Sequence, residues 1–481
     1  MTELCERAVD LALRAGASYA DARIVERETE SLHVKNGKVE GLESATDSGL
    51  GLRVLVDGAW GFAASADLDD ASVQSIAEEA VRLAQASALT SPQPASLSEV
   101  EPTRAAWQSE WRTDPFGVPM HDKIGLLLEA DRRARQREEV KVCESALTFF
   151  RERKYFATSE GSRIEQEHLD SGASVKVTAI GDGEMQERSY PSALDGFHAA
   201  GGWEVVESLD LLAGAERIGG EAADLLTAPV CPSGTFPVII GASQMALQVH
   251  ESCGHPIELD RVFGSEASYA GTSFLTPEKL GQFRYGSKIV NIAADSTLPG
   301  GLGTFGYDDE GVRSCRTDIV REGIFCGYLM SRETAARLGL PSNGAMRADG
   351  WNRLPLIRMT NVNLEPGNWT LDEMIRDIKH GFLLDCTRSW SIDDVRLNFQ
   401  FTTEIGWEIK DGSIVGLVRN PTYHGVTPQF WATCDAIASK EFWKVWGVVG
   451  CGKGEPVQIM RVGHGTAPTR FSAVRLGGAQ E

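Results

Sequence analysis

Hydrophobic and polar positions follow two periods along this chain, and the switches between them outline its elements. From about residue 3 to residue 15, Ala8, Leu11, Ala12 and Ala15 recur at helical spacing, so an amphipathic helix opens the sequence. Alternating stretches follow, joined by two-residue turn signals. Asn36-Gly37 links Leu32-His33-Val34 to Val39, and Asp57-Gly58 links Leu52-Arg53-Val54-Leu55-Val56 to Trp60-Gly61-Phe62. His33, on the first of these strands, is expected at the surface. A second helix starts near Asp70 with Val73, Ile76, Ala80 and Leu83 facing inward. Residues 91–102, with Pro92, Pro94 and Pro102 among Ser and Ala, read as a loop. A third helix over 120–137 turns Ile124, Leu127 and Leu128 inward. Strands are expected over 140–150, 154–158 and 174–180, and a helix over 209–226.

The proline-flanked stretch Ala228-Pro229-Val230-Cys231-Pro232 marks the domain boundary. Beyond it comes an apolar run, Phe236-Pro237-Val238-Ile239-Ile240-Gly241, which reads as a buried strand, and a helix over 242–249. The chain then becomes glycine-rich and strand-like. Asp308-Asp309-Glu310-Gly311 reads as a solvated turn; the three acids lack the spacing of an EF-hand. Thr317-Asp318-Ile319-Val320, the turn Glu322-Gly323 and Ile324-Phe325-Cys326-Gly327-Tyr328-Leu329 form a hairpin pattern. Ser331 caps a short helix that Gly339 stops, and Thr370-Leu371-Asp372-Glu373 opens another reaching about His380. Strands over 398–409 and 414–418 flank Asp411-Gly412. Gly300-Gly301-Leu302-Gly303 lacks the Lys-Ser/Thr of a phosphate-binding loop. The fold class is α+β with two domains. Residues 1–228 form a mixed α/β domain for packing, dimerisation and enclosure of substrate, and residues 229–481 form a β-rich domain that carries the chemistry.

Composition narrows the function. In 481 residues, 68 acidic against 47 basic side chains leave a net charge of −21. That excess argues against nucleic acid or an anionic membrane as partner. Nine cysteines without framework spacing read as free thiols of a reducing compartment. Met1-Thr2-Glu3-Leu4-Cys5-Glu6 is not a signal peptide, and no apolar run reaches the length of a membrane span, so the expected location is cytoplasmic.

The candidate chemistry is concentrated in His250-Glu251-Ser252-Cys253-Gly254-His255. Imidazole is the commonest zinc ligand, and a neighbouring glutamate that binds no metal can serve as base toward water. The competing reading is two ordinary helical histidines that bracket a glutamate. The spacing is one residue longer than His-Glu-x-x-His, in which two histidines share a helix face. At roughly 100° per residue an unbroken helix sets His250 and His255 about 140° apart. A one-residue π-bulge, or unwinding at Gly254, is therefore needed for both to reach one ion, and Pro256 then prevents regular continuation. For a third ligand the sequence offers Cys253, Glu258, Asp260, His424, Cys434 and Cys451. Cys253, if helical, points away from both imidazoles. Cys451 lies between glycines that permit close backbone approach, with Lys453 nearby to favour a thiolate; Glu258 is its main rival.

The stretch His250-Glu251-Ser252-Cys253-Gly254-His255-Pro256-Ile257-Glu258 closely resembles the zinc motif of the TldD/PmbA family of metallopeptidases. Asp308-Asp309-Glu310-Gly311, Ser342-Asn343-Gly344, Pro355-Leu356-Ile357-Arg358-Met359-Thr360-Asn361, Cys451-Gly452-Lys453 and the region from Asp21-Ala22-Arg23 to Phe62 carry the likeness over nearly the whole chain. It is to the branch with an intact metal motif. The resemblance implies Zn2+ held by His250, His255 and Cys451, with Glu251 as general base. It implies a dimer around an enclosed cavity, as a homodimer or a heterodimer with a TldE/PmbA-like paralogue, and an extended peptide substrate laid along a sheet edge. Pro256, Leu259 and Glu455-Pro456 depart from the family pattern. Arg358 is a candidate for stabilising the oxyanion, with a structural salt bridge as its other reading.

Three alternatives stand beside this one. The first is an HExxGH-type peptidase with Glu258 as third ligand. The second is a catalytically silent partner of an active paralogue, against which the retained Glu251 weighs. The third is a nucleic-acid-associated regulator, which the charge disfavours.

Overall fold

A computed structural model describes residues 1–90, 93–181 and 183–477. Ser91 and Pro92 of the expected loop lie outside the described residues. The turn dipeptides form where the sequence places them. Asn36 and Gly37 (φ 48° and 75°), Asp57 and Gly58 (50° and 76°) and Asp411 and Gly412 (46° and 77°) all adopt the left-handed pair that matches the twist of a two-residue hairpin.

Those hairpins build an eight-stranded sheet from the first part of the chain. Its main path runs Ala59–Ser65, Lys38–Val56, Tyr19–Lys35, Val140–Thr158, Arg163–Gly181 and Arg104–Gln108. Glu184–Tyr190 and Phe197–Ala200 also pair with Arg163–Gly181. Strand Tyr19–Lys35 is shared by two cores. Ala20, Ala22 and Ile24 pack with helices Thr2–Arg14 and Asp70–Ala88, whereas Leu32 and Val34, further along the same strand, pack with helices Met120–Ala134 and Leu211–Leu225.

Several expectations are corrected. The two strands expected over 140–150 and 154–158 are one strand, Val140–Thr158. Its charged middle continues the ladder because cross-strand partners satisfy it: Arg151 pairs with Glu28 (2.8 Å) and Glu152 with Arg27 (2.8 Å). Leu83 is 36 % exposed, and Ala77, Val81 and Ala84 fill the buried face of Asp70–Ala88 instead. Ala15 is exposed just past the end of the first helix, and the helix opened by Thr370 stops at Arg376.

Asp308, Asp309 and Glu310 are buried rather than solvated. Asp308 accepts the N–H groups of Glu310, Val312 and Met346 (2.9, 2.9 and 3.0 Å). Asp309 accepts from Ala348 N–H (2.7 Å) and pairs with Lys154 (2.8 Å). Glu310 meets Arg53 (3.2 Å), which is also held by Asp21 (2.7 Å). The acids are thus buried at the junction of the first sheet with the later part of the chain, where the first sheet brings Lys154 and Arg53 and the later part brings backbone N–H groups.

That later part is organised by a seven-stranded sheet. Strand His380–Ile392 pairs with Gly234–Ile240, followed by Thr469–Leu476, Thr422–Val426 and Asn398–Lys410. Asn398–Lys410 pairs back onto His380–Ile392, so these five strands close into a barrel. Two-stranded and four-stranded sheets surround it, the former including Lys444–Lys453 with Gln458–Thr466. Among the described residues no helix is long and apolar enough to cross a membrane.

Candidate metal centre

Strand Gly234–Ile240 leads through Gly241 into helix Ala242–Val249. A Cβ on Gly241 would lie 2.3 Å from the carboxyl carbon of Asp385, so only glycine lets the helix start there. The Asp385 carboxylate accepts from the Ser243 hydroxyl in the first turn (2.7 Å). Side chains 243–249 are all buried, which fixes the helix on every side.

The helix continues as a π-helical turn over His250–Gly254. The His255 N–H donates to the His250 carbonyl, five residues back, and this is the first of the two distortions the spacing allowed. The ring centroids of His250 and His255 are 4.8 Å apart. Gly254 keeps helical angles (φ −57°, ψ −56°), so the chain does not unwind there. Its lack of a side chain makes room for Met359, whose Sδ would lie 2.2 Å from a Cβ.

Hydrogen bonds settle which ring nitrogens face the centre. His464 Nδ1 lies 2.9 Å from the Val362 carbonyl oxygen, which only accepts, so that nitrogen carries the proton. His464 Nε2 therefore accepts from His250 Nδ1–H at 2.8 Å, and His250 Nε2 keeps its lone pair. Glu258 likewise accepts from His255 Nδ1–H at 3.0 Å and leaves His255 Nε2 free. Cys451 Sγ lies 3.9 Å from that Nε2. The three donor atoms of His250, His255 and Cys451 all lie within 4.8 Å of one another, and all three residues are buried.

Burial pushes the Cys451 thiol up, but His250, Arg358 and His255 outweigh it and hold it well below its ordinary value. Burial lowers His250, yet the facing sulfur raises it overall. Burial holds His255 well below the usual range, as it does His464, with His250 adding to both. The thiolate is thus the favoured form of the sulfur.

Glu251 is buried beside the cluster with both oxygens engaged. Oε1 accepts from the indole N–H of Trp390 (3.0 Å), and Oε2 meets the guanidinium of Arg396 (2.7 Å). The other sequence candidates are placed elsewhere. Glu258 sits on the Nδ1 side of His255, with Lys453 3.4 Å from its second oxygen. Asp260 pairs with Lys453 (2.7 Å), which also donates to the Ile357 carbonyl (2.7 Å). Lys453 is therefore spent on carboxylates, and the groups that lower Cys451 are His250, Arg358 and His255. Cys253 packs in the core, where burial pushes its thiol up to about 12. His424 Nδ1 bonds the Gly477 carbonyl (3.0 Å), and Cys434 is a core residue. Arg358 forms no salt bridge among the described residues; it donates to the backbone carbonyls of Cys451 and Gln458 and so braces the strand that presents the sulfur.

Sequence reasoning passed over His464, Trp390 and Arg396. For His464 a signal exists: it stands between Gly463 and Gly465, where a Cβ would lie 2.3 Å from Asn361 Oδ1 and 1.8 Å from the Trp443 ring. Glycine flanks around a chemically capable side chain had already drawn attention to Cys451. Trp390 and Arg396 have no such mark.

A buried His/His/thiolate cluster beside a carboxylate belongs to the chemistry of metal-dependent hydrolases. The comparisons agree. A family model described as PmbA/TldA metallopeptidase C-terminal domain matches residues 233–478, and models for domain 1 and the central domain match 20–84 and 113–228. A metalloprotease of Methanothermobacter thermautotrophicus is 30% identical, with 96% of this chain and 95% of that protein covered. One of Methanocaldococcus jannaschii is 29% identical over 92% of this chain and 94% of its own. A zinc metalloprotease TldD homolog of Saccharolobus solfataricus is 29% identical over 51% of this chain and 52% of its own. Among solved structures, TldE of Thermococcus kodakarensis superposes with a TM-score of 0.76 at 18% identity, covering 99% of this chain and 100% of that one. A Thermotoga maritima protein gives 0.78 at 18% identity, with 99% of both chains covered. The chain belongs to the PmbA/TldD metallopeptidase family.

Proposed function

We propose that this protein is a zinc-dependent peptidase that hydrolyses extended or unfolded peptides, with Glu251 as general base. The observation that supports the reading is the convergence of His250 Nε2, His255 Nε2 and Cys451 Sγ, with each imidazole's Nδ1 already committed to His464 or Glu258. Two neutral imidazole nitrogens and a thiolate fit zinc and leave a fourth position open. Bound there, zinc would supply Lewis acidity toward a water and the scissile carbonyl.

The chain's own groups do the rest. Glu258 and His464 orient the two imidazoles through Nδ1. Trp390 and Arg396 hold the Glu251 carboxylate, which takes a proton from the attacking water and delivers it to the leaving amine. Strand Lys444–Lys453, which presents Cys451, pairs on one side with Gln458–Thr466 and carries no strand on its other edge among the described residues. An extended peptide adding to such an edge would be held through its main chain, which favours broad sequence tolerance.

Further parts of the reading concern assembly and location. Residues 1–228 act as the unit that walls the site and dimerises, with a second copy or with a TldE/PmbA-like paralogue closing the cavity. The superposition on TldE supports a shared fold for such a pair. Nine free thiols fit a reducing, cytoplasmic setting.

Metal analysis together with a peptidase assay tests the proposal. Glu251→Ala is expected to keep zinc and lose cleavage, and Cys451→Ser to lose both. Undiminished hydrolysis by Glu251→Ala would falsify the assignment of the base. Light scattering of the protein alone and mixed with a metal-free paralogue tests the assembly.

A further inference from the structure

The hairpin between His380–Ile392 and Asn398–Lys410 ends in a tight tip that reaches over the metal helix. The tip is pinned from several sides. Asp393 accepts the N–H groups of Leu397 (2.7 Å) and Asn398 (3.1 Å). Thr272 N–H donates to the Asp394 carbonyl and Phe274 N–H to the Val395 carbonyl, both at 2.9 Å. Thr427 donates its hydroxyl to the Arg396 carbonyl (3.2 Å). Arg396 itself is left-handed, at φ 65°, a conformation that costs a non-glycine residue energy and persists only where the surroundings enforce it.

This backbone aims one guanidinium at the centre. The Arg396 side chain is 13% exposed, and one terminal nitrogen holds Glu251 Oε2 at 2.7 Å. Its Nε is buried and has no hydrogen-bond partner among the described residues. A buried N–H with nothing to donate to is costly unless something else occupies its partner's place. Two other guanidiniums lie near the cluster: Arg358, whose terminal nitrogens are spent on backbone carbonyls and which is wholly inaccessible, and Arg347, which donates to the Met359 and Arg461 carbonyls. Arg396 is the partly exposed one that is paired with Glu251.

We propose that Arg396 is a catalytic residue of the peptidase reaction, receiving the carbonyl oxygen of the scissile bond and stabilising the negative charge that develops on it. The proposal rests on the peptidase reading above. As the water oxygen bonds to the carbonyl carbon, the π pair moves onto the carbonyl oxygen, where the guanidinium donates to it, and Glu251 takes the water's proton. When the C–N bond breaks, that pair returns to re-form the carbonyl and the proton passes from Glu251 to the amine nitrogen. One water and one amide thus become a carboxylic acid and an amine, and the acid then passes its proton to the amine, leaving a carboxylate and an ammonium. The Arg396–Glu251 pair serves this step by fixing the electrophile and the base relative to each other before substrate arrives.

The test compares wild type, Arg396→Gln, Arg396→Lys and Trp390→Phe as zinc-loaded full-length protein. The readouts are zinc content, thermal melting, kcat and KM on an extended peptide, and the affinity of a phosphinic peptide whose tetrahedral centre mimics the oxyanion. Arg396→Gln is expected to keep zinc and its melting temperature and to lose about 10²–10³ in kcat with little change in KM. Its affinity for the phosphinic peptide should fall in the same proportion as kcat/KM. Arg396→Lys should recover part of both losses, because a cation remains. Trp390→Phe removes only a bond to Glu251, so it should lower kcat without a matching loss of phosphinic-peptide affinity. The proposal is overturned if Arg396→Gln keeps wild-type kcat. It is equally overturned if kcat falls while phosphinic-peptide affinity holds, since Arg396 would then act only through Glu251. If wild type binds zinc but cleaves no peptide, the peptidase reading fails and this proposal with it. If wild type cleaves and Arg396→Gln cleaves equally well, this proposal alone fails.

Discussion

His250 Nδ1 lies 2.8 Å from His464 Nε2, and the far nitrogen of His464 is tied to the Val362 carbonyl at 2.9 Å. One imidazole thus fixes the tautomer and the ring plane of another. On the opposite side a carboxylate, Glu258, performs the same task for His255. The two candidate ligands are therefore supported unequally, one by a carboxylate and the other by a neutral ring.

Removing the neutral partner tests its role. His464→Ala is expected to weaken zinc binding by about 10–100-fold, read by competition with a chromophoric chelator. His464→Gln keeps an oxygen that can accept from His250 and should lose less. Equal zinc affinity in wild type and His464→Ala would remove His464 from the site.

Glu258→Gln separates an orienting carboxylate from a ligand. The amide oxygen can still accept from His255, so one zinc per chain should bind at saturating metal, with an affinity lower by about tenfold. Complete loss of zinc from Glu258→Gln, with zinc retained in Cys451→Ser, would make Glu258 the third ligand. The 3.4 Å contact to Lys453 is also weakened by the substitution, so thermal melting should be followed in parallel.

Arg53 is buried between Asp21 and Glu310 at 2.7 and 3.2 Å. Glu310→Ala leaves part of that buried guanidinium unpaired and strips an acceptor from the Arg332 N–H (2.6 Å). It is expected to destabilise the protein by about 3–5 kcal/mol in urea unfolding. A double variant with Arg53→Met should be less destabilised than the two single effects added together. Strict additivity would show that the two side chains are uncoupled.

Glu266 gives the pH dependence. Burial, reinforced by the nearby Glu258 charge, pushes its carboxyl up from 4.5 to about 7, against the pull of Lys453 and Arg261. A raised carboxylate favours the folded state fully at pH below about 4.5, and that advantage is lost as the pH climbs to about 7. The span corresponds to roughly 3 kcal/mol. Glu266→Gln cannot ionise. Its stability relative to wild type should therefore be nearly level around pH 5 and rise in favour of the variant up to pH 8. A difference that stays flat across this range would show that Glu266 does not titrate there.

What the sequence by itself determined is local. The hairpins at Asn36-Gly37, Asp57-Gly58 and Asp411-Gly412, the caps at Ser331 and Thr370, and the need for a distortion between His250 and His255 all follow from residues within a turn of one another. Such signals act through backbone sterics and short hydrogen bonds, so the local sequence carries them. The α+β class followed from counting these elements. The tertiary structure decided the rest. It buried Asp308, Asp309 and Glu310 by bringing a distant sheet against them, and it carried one strand unbroken through Arg151-Glu152-Arg153-Lys154. It also set Cys451, one of the six donors the sequence offered, beside His255, 196 residues away. His464 reaches His250 across 214 positions, and Trp390 and Arg396 reach Glu251 across 139 and 145. Contacts at such separations depend on how the strands close into a barrel and where its hairpin tip folds, and no local pattern encodes that closure.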